Sequence, residues 1–514
     1  MKLFKAMATV GGFTLLSRIA GFIRDILTAA LLGAGPIADA FFVALKLPNF
    51  FRRITAEGAF SVSFVPMFSS EKETNGEKEA LSFADESFAI MVALLIPFVV
   101  TMVILMPWLV YIIAPGFSGE TVRYDLAVEL SRITFPYILM MSLAALIGGV
   151  LNSYGRFAPF AAAPVFFNFC LILSMIFLTP HVATVGHALA YGVFFAGITQ
   201  FLFMFYCLRK TGLKIKFKRP VFTERIKQLF KRMAPGVVSA GVVQINLFID
   251  LILASLLPAG AISYLYYADR LYQLPLSVIG IAIGTALLPM LSKALAGKKT
   301  REAEKLFSHS IELGLTLSLP AAVALIIIPE PIMGVLFHRG AFDAVATLSS
   351  ANALMAYALG LPAFVMVKIY STALFAEKDT KTPVKFAIIG AITNTILGLL
   401  FIIPLQHVGI ALATTIAAWL NCFLISRKVK QKGSFIISTD SKKRLFRIMI
   451  SAVLMGGIIY GIEYLLHDSF YQAGLNSVTS LILLVFGGGI SYIALLHLTG
   501  GFKLHQLKTF FVKS

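Results

Sequence analysis

The chain has 514 residues, 58% of them hydrophobic and only 13% charged, with a mean hydropathy of +0.86. Ordinary soluble domains are about 45–50% apolar, so this composition excludes one and predicts a polytopic all-α membrane protein. The net charge of +19 is concentrated in connections between apolar runs, which argues against nucleic acid as a partner. Three scattered cysteines, Cys170, Cys207 and Cys422, offer neither a disulfide framework nor a metal site.

Spans of about 20 apolar residues predict fourteen transmembrane segments. Their limits are 7–32, 37–66, 84–113, 125–152, 159–179, 183–208, 234–257, 261–291, 306–336, 347–375, 383–403, 408–426, 446–466 and 477–498. Segment 1 carries Arg18, Arg24 and Asp25, and segment 2 carries Asp39, Lys46, Asn49, Arg52, Arg53 and Glu57. A charge at mid-membrane costs about 2.5–3.5 kcal/mol on insertion scales, so charges this dense must face a wet cavity or a partner. Several cations around one cavity point to an anionic cargo.

On an ideal helix Arg18 and Asp25 share a face, whereas Arg24 is turned about 120° from Arg18. That geometry pairs Arg18 with Asp25 and leaves Arg24 for a ligand. In segment 2, Asp39, Lys46, Asn49, Arg53 and Glu57 form one polar stripe, with Arg52 about 100° off it and Pro48 able to kink the helix. Segments 7 and 8 add Asp250, Asp269, Arg270 and Gln273. Each residue has a plainer reading. Arg52 and Arg53 also suit snorkelling anchors, Asp39 a helix-entry carboxylate, Glu57 the i+4 partner of Arg53, and Lys368 either a snorkelling side chain or a cavity wall.

Basic residues crowd alternate connections, from Arg209 to Arg232 and from Arg427 to Arg447, while the opposite connections hold only Arg123 and Arg339. That asymmetry predicts cytoplasmic termini and cytoplasmic basic loops. An internal repeat is also legible. DILTAALLGAG from Asp25 answers DLILASLLPAG from Asp250 at a spacing of 225, and Pro97, Pro136, Pro159 and Asn168 answer Pro320, Pro362, Pro383 and Asn394. Six segments separate the copies, so both insert in the same orientation, as in parallel-repeat transporters. The predicted organisation is an N-lobe at 1–208, a basic linker at 209–233 and a C-lobe at 234–426. A basic loop at 427–445, segments 13 and 14 at 446–498 and a tail at 499–514 follow. The two lobes are expected to surround a central cationic cavity and to rock around it.

SRIAGFIRD from Ser17, DAFFVALKLPNFFRRITAEGAFSVSFVP from Asp39, YYADRLYQLP from Tyr266 and KTPVKFAI from Lys381 resemble the MviN/MurJ family of lipid II flippases. That family belongs to the multidrug/oligosaccharidyl-lipid/polysaccharide exporter superfamily, and the resemblance covers essentially the whole chain. It implies transport of lipid II, the undecaprenyl-diphosphate-linked disaccharide-pentapeptide, from the cytoplasmic to the periplasmic leaflet of the bacterial inner membrane. It also implies that Arg18, Arg24, Arg52 and Arg270 line the cavity and bind substrate. The chemistry suits them, because a guanidinium stays protonated and meets phosphate in bidentate fashion. Asp25, Asp39, Lys46, Asn49, Arg53, Glu57 and Asp269 would support that cavity.

The resemblance further implies a groove for the polyprenyl tail near segments 13 and 14. No cofactor is implied; coupling would come from membrane potential or from a monovalent cation held by Asp250, Asn394 and Thr415. Partners are lipid II, membrane lipids and cell-wall synthesis proteins. The rival readings are a cation-coupled exporter of a drug or other lipid-linked oligosaccharide, which would want more acid than arginine, and a scaffold recruiting partners through its basic loops. An enzyme fits least, since no nucleophile–base pair or Gly-rich phosphate loop is present.

Overall fold

The computed structural model describes residues 2–54, 59–433, 435, 438–471 and 475–501, and among them every regular element is helical. The chain divides into two compact units: Met1–Ser263 with Arg339–Phe342, and Tyr264–His338 with Asp343–Ser514.

In the first unit, α1 (Lys2–Leu32) ends at Gly33, whose positive φ of 69° gives the helix a left-handed cap. The same residue permits a close approach, since a Cβ there would collide with the Ala341 carbonyl, while the Ala341 N–H donates to the Ala30 oxygen at 2.8 Å. Pro36 opens α2 (Pro36–Ile54), where its fixed φ suits a first turn. Pro48 lies inside α2 and cannot donate to the Ala44 carbonyl four residues earlier. The Thr134 hydroxyl donates to that carbonyl instead, at 2.8 Å. Repair of this kind is what lets a proline sit inside a membrane helix.

Next come α3 (Ser61–Thr74), α4 (Glu77–Ile104), α5 (Met106–Ile113), α6 (Thr121–Thr134), α7 (Tyr137–Ser153), α8 (Ala158–Phe177), α9 (Val185–Lys210) and α10 (Glu224–Ser255). Proline marks several breaks: Pro107 starts α5 and Pro136 separates α6 from α7. α8 packs on α1 and α9, and α2 packs on α6. In lipid, packing and buried hydrogen bonds rather than a hydrophobic drive hold such helices together. Gln200 on α9 illustrates this, donating to the Ala163 carbonyl at 2.7 Å and accepting from the Tyr137 hydroxyl at 3.1 Å.

The second unit contains most of α11 (Ala261–Ala296), then α12 (Thr300–Ile327), α13 (Pro329–Phe337), α14 (Ala344–Ala358), α15 (Leu361–Ala376), α16 (Lys381–Lys432), α17 (Thr439–Tyr471) and α18 (Leu475–Thr499). A straight helix of 52 residues would run to about 78 Å, far beyond a hydrocarbon core of ~30 Å. α16 breaks at Gln406, where φ is 50° and ψ −131°. The break falls between the two segments expected at 383–403 and 408–426. Phe307, Ile311, Ile369, Leu374 and Ile425 form a core among α12, α15 and α16. A second core of Ile448, Met455, Ile459 and Leu484 joins α17 and α18 to the end of α12.

Nine helical stretches among the described residues are long and apolar enough to cross a membrane. Ten of the fourteen expected segments overlap these stretches, two of them in α16, while segments 1, 2, 7 and 8 fall on α1, α2, α10 and α11, which are not among the nine.

Candidate functional site

In the first unit the charged side chains of α1 gather on α8. The Arg24 guanidinium donates to Asp25 Oδ1 through Nη2 at 2.7 Å and Nε at 3.2 Å, and to Asn168 Oδ1 through Nη1 at 2.9 Å. Asn168 in turn donates through Nδ2 to the Ser17 carbonyl at 2.9 Å, which ties α8 to α1 across a full turn above and below Gly21. The Arg24 and Asp25 side chains are only 11% and 7% exposed. The expectation that Arg24 stands apart from Asp25 is therefore corrected. Helical angle separates the two Cβ atoms, but the long arginine side chain folds back, and a buried guanidinium without a counter-charge would be costly. Arg18 is half-buried on the same helix.

Along α2 the predicted stripe separates by environment. Asp39 is fully buried, Lys46 and Arg53 are exposed, and Asn49 and Arg52 are half-buried. Asn49 donates to the Leu45 carbonyl at 2.8 Å. Glu57 lies outside the described residues. Asp39 makes a buried latch of its own: Oδ2 accepts from the Gly260 N–H at 2.8 Å, and Oδ1 accepts from the Ser263 N–H at 2.9 Å and the Ser263 hydroxyl at 2.6 Å. Arg123 from α6 lies 3.4 Å from the same carboxylate, covers the Phe117 ring at 4.0 Å and donates to the Leu257 carbonyl. Asp250 is half-buried on α10.

In the second unit Arg270 and Asp269 sit 3.9 Å apart at side-chain exposures of 38% and 30%. The Arg270 guanidinium also lies 4.8 Å from the Tyr266 ring centre, and Gln273 donates to Asp269 at 2.5 Å. Asn394 is buried, and its oxygen accepts from Thr414 at 3.2 Å, whereas the Thr415 hydroxyl donates to the Ala356 carbonyl at 2.7 Å. Thr414 rather than Thr415 is thus the neighbour of Asn394. Among the described residues no cluster of three or more His, Cys, Asp or Glu side chains could hold a metal ion. Lys368 is exposed, with its stem against Gly280.

Three polar contacts escaped sequence reasoning. Asn168 was visible as a repeat-matched asparagine, and Arg123 as one of two cations in the cation-poor connections, yet neither pattern names a partner. The third joins α12 to α17: Glu312, 1% exposed, accepts at Oε1 from Arg444 Nε at 3.0 Å and Nη2 at 2.8 Å.

The family profile described as "Lipid II flippase MurJ" matches residues 28–481. A probable lipid II flippase MurJ from Rhizobium meliloti is 40% identical, covering 99% of this chain and 96% of that protein. The lipid II flippase MurJ of Burkholderia cenocepacia is 34% identical, covering 90% of each. A solved lipid II flippase MurJ in an inward closed conformation superposes with a TM-score of 0.78 at 27% identity, over 95% of this chain and 97% of that one. An inward-facing multidrug resistance MATE transporter of the MOP superfamily shares the fold, with a TM-score of 0.69 at 16% identity over 83% of this chain and 98% of its own. On the family match and the relatives that span its length, the chain belongs to the lipid II flippase MurJ family.

Proposed function

We propose that this protein flips lipid II from the cytoplasmic to the periplasmic leaflet of the bacterial inner membrane by alternating access. The observation that carries the reading is the largely buried Arg24–Asp25–Asn168 node between α1 and α8, in a chain matched to the family over almost its full length. A diphosphate presents about two negative charges, and guanidinium forks hold phosphate oxygens with defined geometry. Arg18, Arg24, Arg52 and Arg270 bind it; Asp25 and Asn168 fix the plane of Arg24 beforehand. Substrate phosphate exchanges with Asp25 as counter-charge, so binding and the reorientation of α1 are linked through differential affinity for the two states.

The two repeated six-segment lobes move as rigid bodies, with both termini in the cytoplasm. The outward faces of α17 and α18, with Val453, Leu454, Leu483 and Phe486 exposed, offer the apolar surface along which the polyprenyl tail rides. A membrane potential can drive the cycle, since each elementary charge moved is worth about 2.3 kcal/mol per 100 mV.

The experiment is complementation of a flippase-depleted strain. Arg24→Ala and Arg270→Ala should each abolish growth support while the protein still reaches the membrane, and lysine should restore it only partly because the fork is lost. Normal growth from the double alanine variant would sink the arginine assignment.

A further inference from the structure

The first unit holds a cavity of about 380 Å³ among α3, α7 and α8, lined by Ser61, Val65, Ala145, Gly149, Asn152 and Phe160. Its size lies within the ~300–1,000 Å³ of small-molecule sites. Room exists because two positions four apart on α7 are Ala145 and Gly149. Phe160 is drawn close to α7, since a Cβ at Gly148 would run into its ring. Asn152 lines the cavity; its Oδ1 is enclosed by protein atoms and accepts no hydrogen bond among the described residues, so the amide Nδ2 is the group left to donate to a ligand. Aromatic ring, side-chain amide and small floor make the combination that recognises a sugar: an apolar face to stack on and an amide for a hydroxyl or acetamido group.

The place of the cavity matters as much as its lining. Phe160 precedes Asn168 by eight residues on α8, about 12 Å along the axis and about 80° around it. The cavity thus lies roughly two turns from the Arg24–Asn168 contact, toward the Ala158 end of α8. In the proposed substrate the first sugar is bonded directly to the diphosphate and the second extends beyond it.

We infer that this cavity seats the distal sugar of the lipid-linked disaccharide, with Asn152 as hydrogen-bonding residue and Phe160 as stacking surface. The inference rests on the lipid II reading and makes Asn152 and Phe160 specificity residues, distinct from the arginines that hold the diphosphate.

The test is equilibrium binding by the purified full-length protein of three undecaprenyl diphosphates: bare, bearing the monosaccharide-pentapeptide, and bearing the disaccharide-pentapeptide. The unsubstituted protein should prefer the disaccharide lipid over the monosaccharide lipid by about tenfold, the scale of one net hydrogen bond. Asn152→Ala, Phe160→Leu and the cavity-filling Ala145→Val should each bring the two to parity while leaving the affinity for the monosaccharide lipid unchanged. Absence of any preference in the unsubstituted protein, or its survival in all three variants, overturns the subsite alone. An equal fall for both lipids in every variant also overturns it, since that marks a packing role. Failure of the unsubstituted protein to bind any of the three overturns the lipid II reading, and the subsite with it.

Discussion

Asp39 and Arg123 stand at side-chain exposures of 0% and 1%, so neither charge has water to fall back on. Removing one partner of such a pair leaves the other buried and uncompensated, which costs about 3–5 kcal/mol. The Asp39 carboxylate also caps the Gly260 and Ser263 amides, so its loss orphans two donors at the start of α11. Arg123→Met should therefore lower the melting temperature of the purified protein sharply, and adding Asp39→Asn should recover part of the loss because the amide keeps a hydrogen-bonding oxygen. A double variant less stable than Arg123→Met alone would show that the pair is not the source of the effect. The segment-2 pattern had Asp39 on a stripe with Lys46 and Arg53, and charge spacing alone could not tell a buried latch from a cavity wall. What separates them is the turn at Gly260, more than 200 residues away in the chain.

Helix α2 keeps its continuity through a bond supplied by α6. Because Pro48 cannot bond the Ala44 carbonyl, the Thr134 hydroxyl does so. Thr134→Val should destabilise the protein by about 1 kcal/mol, the size of a hydrogen bond between membrane helices. In a Pro48→Ala background, where residue 48 regains its N–H, the same change should cost almost nothing. Equal costs in both backgrounds, measured by thermal unfolding of the four variants, would refute the repair.

The connection between α15 and α16 supplies a pH-dependent case. Asp379 is held down to about 2, first by the hydrogen bond from Lys432 and then by the Thr382 N–H. A carboxylate with a lowered folded pKa contributes stability above its unfolded pKa, near 3.9, and loses it as pH falls through about 2. Asp379→Asn should flatten the acid limb of the unfolding profile between about pH 4 and 2, and high salt should do so partially because the pair is exposed. An unchanged acid limb would remove the pair from the account. Apolar runs located nearly every helix in advance, since burial in lipid imposes the one pattern that needs no partner to be read. Breaks at proline were missed: the expected segments 84–113 and 125–152 run straight through Pro107 and Pro136, where α5 and α7 begin. Pairings such as Glu312 with Arg444 were invisible, because a hydrogen-bond partner 132 residues away leaves no local trace.

Family membership rests on the match along the chain, and the proposed transport rests on the arginines that α1, α2 and α11 carry. Of the proposed diphosphate-binding set, Arg24 is the residue whose surroundings differ most from the sequence expectation. Its own helix predicted an isolated cation, whereas α8 supplies Asn168 and the neighbouring position supplies Asp25. That arrangement holds the cation in one orientation without stranding its charge. The measurement that bears most directly on the claim is movement of lipid II between leaflets of vesicles containing only this purified protein, read by its accessibility to an impermeant reagent. Lipid II should become accessible far faster than in protein-free vesicles, and the Arg24→Ala, Arg270→Ala double variant should match the protein-free rate. Equal rates with and without the unsubstituted protein under an imposed membrane potential, or full activity in the double variant, would contradict it.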